Sequence, residues 1–361
     1  MKQMPAMTVE QFKFHYIFSS KGGLFNVAHL EELQHFKTAI EQMFEVIKKK
    51  YPNLPPINFD FVLNDSLNAC VKKVNGEYYI GINIGAYFLL KDMFQKMLSS
   101  NKVLLNVGNP LIETGDKNLL TALNNRPIEF DIANIEMIVP KDPVRTSYGS
   151  LYMTFCLNFL VLHECAHIIR GHLDYHIKSN HNSDWNEFED LNPQTNLESC
   201  SLYQTLEMDA DSFATNWAFI EAESIIEHNL PPIKNDTSVF ENWNSFVFNW
   251  FFSIYSLLRM QGFNELNVSK CKSYTHPPAT IRMALIAGNI ISILEKKNKN
   301  DSIDEITKNY IASSKEAEKA YMEITCSHDC FGHFAEIYKN TDLQNYNSEI
   351  LSNWNKVRPL L

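Results

Sequence analysis

The sequence predicts an α+β fold that is mostly α-helical. Apolar residues recur at steps of three and four through much of the 361 residues, and the spacing changes to two over residues 57–84. A hydrophobic content of 45% allows one large domain or two modest ones with a substantial core. The formal net charge of −10 argues against a general nucleic-acid or anionic-membrane surface, because both need clustered positive charge.

The first part of the chain is predicted to place a small sheet between two helices. The helices are expected over residues 27–50, which show an amphipathic pattern, and over residues 85–98. Alternation between them predicts three short strands, at residues 57–63, 69–74 and 78–84. Asn75-Gly76 is a strong signal for a tight hairpin, so we expect an antiparallel meander. Residues 99–145 contain loop signals without clear element boundaries.

Long helices are predicted for most of the remaining chain. They cover residues 147–170, 201–227, 240–260, 279–296 and much of 297–361, with an exposed polar loop over residues 174–198. The two most apolar stretches, residues 153–169 and 246–258, are interpreted as buried helices without a membrane span. The first contains a His-Glu pair, and the second is shorter than the roughly 18 to 20 residues that a span needs.

The predicted helix at residues 147–170 contains a metal-binding pattern, His163-Glu164-Cys165-Ala166-His167. Two histidines four residues apart lie on one helical face, so both imidazoles can bind a single ion, for which zinc is well suited. Glu164 projects beside the metal, where a carboxylate can act as general base toward a water molecule. The pattern therefore predicts a zinc site with Glu164 as a catalytic residue.

A third ligand must come from elsewhere in the chain. His172 lies about 180° around the helix from His163, so we expect it to contact solvent or a loop. Two further candidates, Glu187 and Glu189, lie in the polar loop. Glu207 and Asp211 are better placed, because they share one face of a predicted helix beside its apolar stripe. Glu207 could be the ligand and Asp211 the acceptor of a ligand histidine N–H, although a pair of solvated acids at the helix edge is the alternative.

Three ordered motifs resemble the gluzincin zinc metallopeptidases of the CAAX prenyl protease and HtpX class. They are the His-Glu-x-x-His motif, Glu207-x-x-Ala210-Asp211, and Thr275-His276-Pro277-Pro278 with Arg282. Residues 65–69, 78–84 and 85–90 are also similar to the Asn-Ala hairpin, strand and helix of that class. In size and expected compartment the chain more loosely resembles soluble phage-exclusion peptidases of the Lit type.

The resemblance implies a zincin-like core with a small antiparallel sheet, a C-terminal helical extension and a zinc-dependent endopeptidase activity. Glu207 would be the third zinc ligand and Asp211 would orient a ligand histidine. His276, together with Arg282, would stabilise the oxyanion of the reaction. The strand at residues 78–84 would lie at a sheet edge and pair with an extended substrate.

The expected organisation is a catalytic domain at residues 1–296 and the helical extension at residues 297–361. The catalytic domain would contain the sheet at 57–84, an unmatched insertion at 99–145 and the zinc-site helices at 147–296. The expected partners are a protein or peptide substrate, without nucleic acid or a membrane span, and a regulatory partner. The insertion and the extension are our hypothesis for regulation or target choice.

Residues 1–6 lack the features of a secretory signal, and the seven cysteines have no regular spacing, so we expect a cytoplasmic protein. Cys165 is expected to pack and not to react. Cys326, Cys330 and His333 share a helical face while His328 points away, so ordinary thiols are favoured over a second metal site. The functional alternative is a catalytically silent binding or regulatory module, against which the presence of Glu164 argues.

Overall fold

A computed structural model describes residues 7–114, 137–180, 184–186, 196–228, 238–260, 266–296, 303–325, 327 and 329–361. The helices are α1 Val9–Ile17, α2 Glu31–Lys50, α3 Ile84–Leu98, α4 Pro143–Ile169, α5 His172–Asn180, α6 Leu197–His228, α7 Trp243–Met260, α8 Val268–Cys271, α9 Ala279–Lys296, α10 Ile303–Thr325, α11 Phe331–Glu336 and α12 Thr341–Val357. The strands are β1 Ile57–Val62, β2 Ala69–Val74, β3 Glu77–Asn83 and β4 Asp184–Asn186. The prediction of a mostly helical α+β fold is confirmed.

The sheet is mixed, and the predicted antiparallel meander is wrong. The strand order is β1-β3-β2-β4, in which β1 runs parallel to β3, and β2 runs antiparallel to both β3 and β4. The hairpin between β2 and β3 is present, and both of its turn residues, Asn75 and Gly76, have positive φ. Because β3 is paired on both sides, the expectation that residues 78–84 form a sheet edge is also wrong.

A crossover between β1 and β2 explains the difference. Asn83 donates hydrogen bonds to Asn64 Oδ1 at 3.2 Å and Ser66 Oγ at 2.8 Å. The backbone N–H of Gly85, near the start of α3, donates to the carbonyl oxygen of Asn64. A Cβ at Gly85 would lie 2.1 Å from the carbonyl oxygen of Asp65, so only glycine admits this close approach. These contacts hold the connection from β1 to β2 across the end of β3, so β1 and β2 lie on opposite sides of β3. Strand β1 therefore runs parallel to β3.

Helix α4 lies at the centre of the structure, where it packs against α3, α6, α7 and the sheet. Asp142 caps its N-terminus by accepting from the N–H groups of Val144 and Arg145. An 18-residue window within α4 has a mean hydropathy of 1.3, which by length and composition would suit a membrane span. However, 78% of that window is buried inside the structure, and helix packing accounts for its apolar composition.

The predicted loop at residues 174–198 contains structure that sequence reasoning missed. Helix α5 begins directly after Gly171, and β4 adds a strand to the sheet. Asp174 on α5 accepts from Lys73 Nζ at 2.7 Å and Tyr78 OH at 3.0 Å, which fastens α5 to β2 and β3. The polar composition of this segment predicts a loop. A local pattern cannot show these contacts, because the partners lie about 100 residues away in sequence.

The described part of the insertion is fastened to the start of α4. Arg145 is fully buried and donates to five backbone carbonyl oxygens, those of Leu98, Ser100, Val103, Leu104 and Val107. These contacts satisfy carbonyls that would otherwise be buried without partners. Residues 115–136 of the insertion lie outside the described residues.

The C-terminal helices pack against the same core. Helix α10 contacts α7, where Glu318 accepts from Arg259 Nε and Tyr255 OH, each at 2.9 Å. Helix α12 contacts α6, where Tyr346 OH donates to Gln204 Oε1 at 2.7 Å. Buried residues of α10, such as Tyr310, belong to the apolar cluster that includes α4 and α7. The division into two domains stays a prediction.

Candidate metal centre

Helices α4 and α6 bring His163, His167 and Glu207 together in a fully buried cluster. His163 Nε2 lies 3.1 Å from His167 Nε2 and 3.0 Å from Glu207 Oε2, and His167 Nε2 lies 3.6 Å from Glu207 Oε1. Ligand bonds of about 2.0–2.1 Å in a tetrahedron around zinc give ligand atoms roughly 3.3 Å apart. The three side chains therefore could hold a metal ion.

Asp211 contacts His163 at Nδ1, the ring nitrogen that faces away from the cluster. It is one helical turn from Glu207 on α6, and its Oδ1 lies 2.9 Å from His163 Nδ1. This bond leaves His163 Nε2 directed at the cluster, as a metal ligand requires. Burial alone would raise the pKa of Asp211, but Arg282 and His163 hold that pKa below its ordinary value. The carboxylate therefore stays ionised and accepts the N–H of His163.

Arg282 on α9 binds Asp211 with two hydrogen bonds. Its Nε donates to Asp211 Oδ2 at 2.8 Å, and its Nη2 donates to Oδ1 at 2.7 Å. Both side chains are almost completely buried. This paired contact, which sequence reasoning did not predict, accounts for the position of Arg282. A direct role of Arg282 at the oxyanion stays a prediction.

His276 lies beside the carboxylate of Glu207. Its Nε2 is 3.4 Å from Glu207 Oε1, and its Nδ1 is 3.1 Å from Thr275 Oγ1. The residue is 8% exposed and precedes α9, whose first turn follows Pro277 and Pro278. The structure thus brings His276 to the cluster, although it is separated from His163 by more than 100 residues in sequence.

His172 is the residue whose predicted environment is wrong. It is fully buried, and its Nδ1 lies 3.1 Å from His167 Nδ1, while its Nε2 lies 3.4 Å from Asp209 Oδ2. The helical angle from His163 does not apply, because Gly171 has a φ of 81° and ends α4 before His172. Burial lowers the pKa of His172, despite the opposing effect of Asp209, so the imidazole is neutral.

Glu164 is fully buried and follows His163 on α4. Cys165 packs in the apolar core, and its burial raises the pKa of the thiol well above the ordinary value, which argues against a reactive thiolate. Among the alternatives, Glu187, Glu189, Cys326 and His328 lie outside the described residues, as does the side chain of His333. The preference for ordinary thiols over a second metal site therefore stays a prediction.

No curated protein and no solved structure matches the chain. A family model described as Peptidase U49 matches residues 133–300, somewhat less than half of the chain and the part that carries all the side chains of the candidate metal centre. The match supports the resemblance to the Lit type, whereas the resemblance to the CAAX prenyl protease and HtpX class stays a prediction. Residues 133–300 are therefore similar to a peptidase family of the Lit type.

Proposed function

We propose that the chain is a zinc-dependent endopeptidase that hydrolyses peptide bonds of a protein substrate. The observation that carries the proposal is the buried convergence of His163, His167 and Glu207 within a segment similar to a peptidase family. Two imidazoles and one carboxylate form a ligand set that catalytic zinc sites use, with a further position left for water. The zincin-like core and the gluzincin type belong to the same proposal.

A bound zinc ion would supply Lewis-acid chemistry, because it acidifies a water molecule and polarises a substrate carbonyl. Glu164 accepts a proton from the attacking water and delivers it to the leaving amine. His276, beside Glu207, donates a hydrogen bond to the oxyanion that forms on the substrate. Arg282 contributes through Asp211, whose carboxylate it neutralises and holds against His163.

The cluster is closed in this structure. His163, Glu164, His167 and Glu207 are fully buried, and His276 has only 8% of its surface exposed. A polypeptide substrate can reach these groups only after neighbouring residues move, so the proposal includes an opening step before cleavage. A regulatory partner that promotes or blocks this step is part of the proposal.

The same burial favours a second candidate, a catalytically silent module that binds a metal ion for structural reasons. Structural zinc sites need no access for a substrate. The two candidates differ in the role of Glu164, because a general base is essential for hydrolysis but is not needed to hold the ion. This difference defines the experiment.

Metal content and cleavage should be measured on the native chain and on Glu164→Gln. We expect about one zinc per chain in both proteins, whereas new protein N-termini should form in a mixed protein substrate with the native chain alone. Glu41→Gln, an exposed site on α2, is the matched control and should behave like the native chain. Absence of metal from the native chain contradicts the site. Identical N-terminal profiles for native and Glu164→Gln proteins, with metal bound, favour the silent module.

A cytoplasmic location is also proposed. Six free cysteines occur in the described part of the chain, five of them buried, which suits a reducing compartment. Fractionation of cells that produce the chain would test the location, and recovery in the membrane fraction would contradict it.

A further inference from the structure

We infer that His172 is a positioning residue for the metal centre and acts through the ligand His167, with Asp209 behind it. The inference rests on the proposed metal site and adds a second set of supporting residues to it. His167 Nδ1 and His172 Nδ1 lie 3.1 Å apart in a fully buried environment. Two ring nitrogens at this distance form a hydrogen bond only if one carries a proton and the other does not.

Metal binding decides which nitrogen carries the proton. His167 Nε2 faces His163 Nε2 and Glu207, so this nitrogen would bind the ion and would then carry no proton. The proton of neutral His167 then resides on Nδ1 and is donated to Nδ1 of His172. His172 consequently carries its own proton on Nε2, where Asp209 Oδ2 lies 3.4 Å away. The proton positions on His167 and His172 are thus mutually consistent.

The backbone holds His172 in this position. Gly171 follows the end of α4 with a φ of 81°, a backbone conformation that residues with a side chain rarely adopt. Helix α5 follows at once and is fastened to the sheet through Asp174. The ring of Trp354 on α12 lies edge-on to His172 with centroids 6.4 Å apart. The imidazole therefore has little freedom to leave His167.

Helix α6 supplies one acidic residue on the outer side of each ligand histidine. Asp211 contacts Nδ1 of His163 directly, whereas Asp209 reaches His167 through His172. In both arrangements the partner lies at Nδ1, which leaves Nε2 of each histidine directed at the cluster. Loss of such an outer partner usually lowers metal affinity by about 10- to 100-fold.

The test compares zinc affinity in four variants by competition with a chelator. His172→Leu fills the site without an acceptor and should bind zinc roughly 10- to 100-fold more weakly. His172→Asn places an oxygen near the position of Nδ1 and should recover most of the affinity. His172→Gln places its amide nearer Nε2 and should recover less. His176→Leu is the control, because His176 lies one turn further along α5 and contacts Tyr203 OH.

Cobalt substitution provides a second readout, since the visible absorption of bound cobalt reports the arrangement of its ligands. We expect an altered spectrum in His172→Leu and a native one in His176→Leu. Native affinity and spectrum in a folded His172→Leu protein would overturn the inference while leaving the proposed function intact. If that variant does not fold, the Asn and Gln variants decide, because equal affinity in the two would mean that His172 only fills space. A native chain without metal affinity would overturn both.

Discussion

The paired contact between Arg282 and Asp211 leads to a quantitative prediction for Arg282→Met. Both side chains are almost completely buried, and two short hydrogen bonds join them. The substitution leaves the Asp211 carboxylate in the interior without its cation. Removal of one partner from a buried ion pair costs about 3–5 kcal/mol, a large part of the roughly 5–15 kcal/mol that stabilises a typical domain. Urea unfolding of the metal-free chain measures this loss apart from any effect on metal binding.

Two further variants separate the contact from other roles of Arg282. Adding Asp211→Asn to Arg282→Met removes the unpaired charge and should restore about 1–3 kcal/mol, because the charge no longer needs a partner. Arg358→Met, at an exposed position, should change stability by less than about 0.5 kcal/mol. An Arg282→Met protein as stable as the native chain, but slower in cleavage, would refute the supporting role and favour direct contact with the oxyanion.

Four other predictions concern different parts of the molecule. Arg145→Met should cost about 3–5 kcal/mol in urea unfolding, because buried carbonyls of residues 98–107 lose their donor. Burial raises the pKa of Glu221 to about 7, so the stability that its protonated carboxyl provides below pH 4.5 is lost as pH rises through 7. The Glu221→Gln variant does not lose this stability. Urea unfolding should therefore show its free energy of unfolding rising, relative to that of the native chain, by up to about 3 kcal/mol between pH 4 and pH 8. Chelation should lower the melting temperature, since an ion at 100 times its Kd adds about 2.7 kcal/mol, and Glu207→Ala should show no such metal dependence. Tyr346→Phe should lose about 1 kcal/mol, because Gln204 Oε1 loses its donor, and calorimetry can detect the change.

The sequence predicts the helices well because they are long and strongly periodic. Helix α9 has the predicted bounds, and α4 and α6 extend the predicted ranges by a few residues at their N-termini. Glu207 and Asp211 can be recognised as candidate site residues for the same reason, because a spacing of four places two acids on one helical face beside an apolar stripe. The structure shows that this face does meet α4 at the histidines.

Features that depend on the path of the chain between elements were not predictable from local pattern. Parallel pairing of β1 with β3 depends on the crossover, and the turn signals at residues 64–66 look the same in a hairpin. The expectation for His172 extends the helical angle of α4 beyond Gly171, where the helix has ended. Glycine at the end of a predicted helix was the available signal, because a residue beyond such a glycine no longer follows the helical angle.

The packing of residues 297–361 determines how their expected regulatory role can be tested. Deleting them would expose core residues of α7 that α10 covers, so loss of activity would report unfolding as readily as regulation. A more specific connection to the metal centre passes through Gln204, whose amide donates to the carbonyl oxygens of Cys271 and Tyr274. That segment leads directly to His276, and Tyr346 on α12 binds the same glutamine. Because Tyr346→Phe removes one hydroxyl and leaves the core covered, it can reveal whether α12 influences His276 in a folded protein.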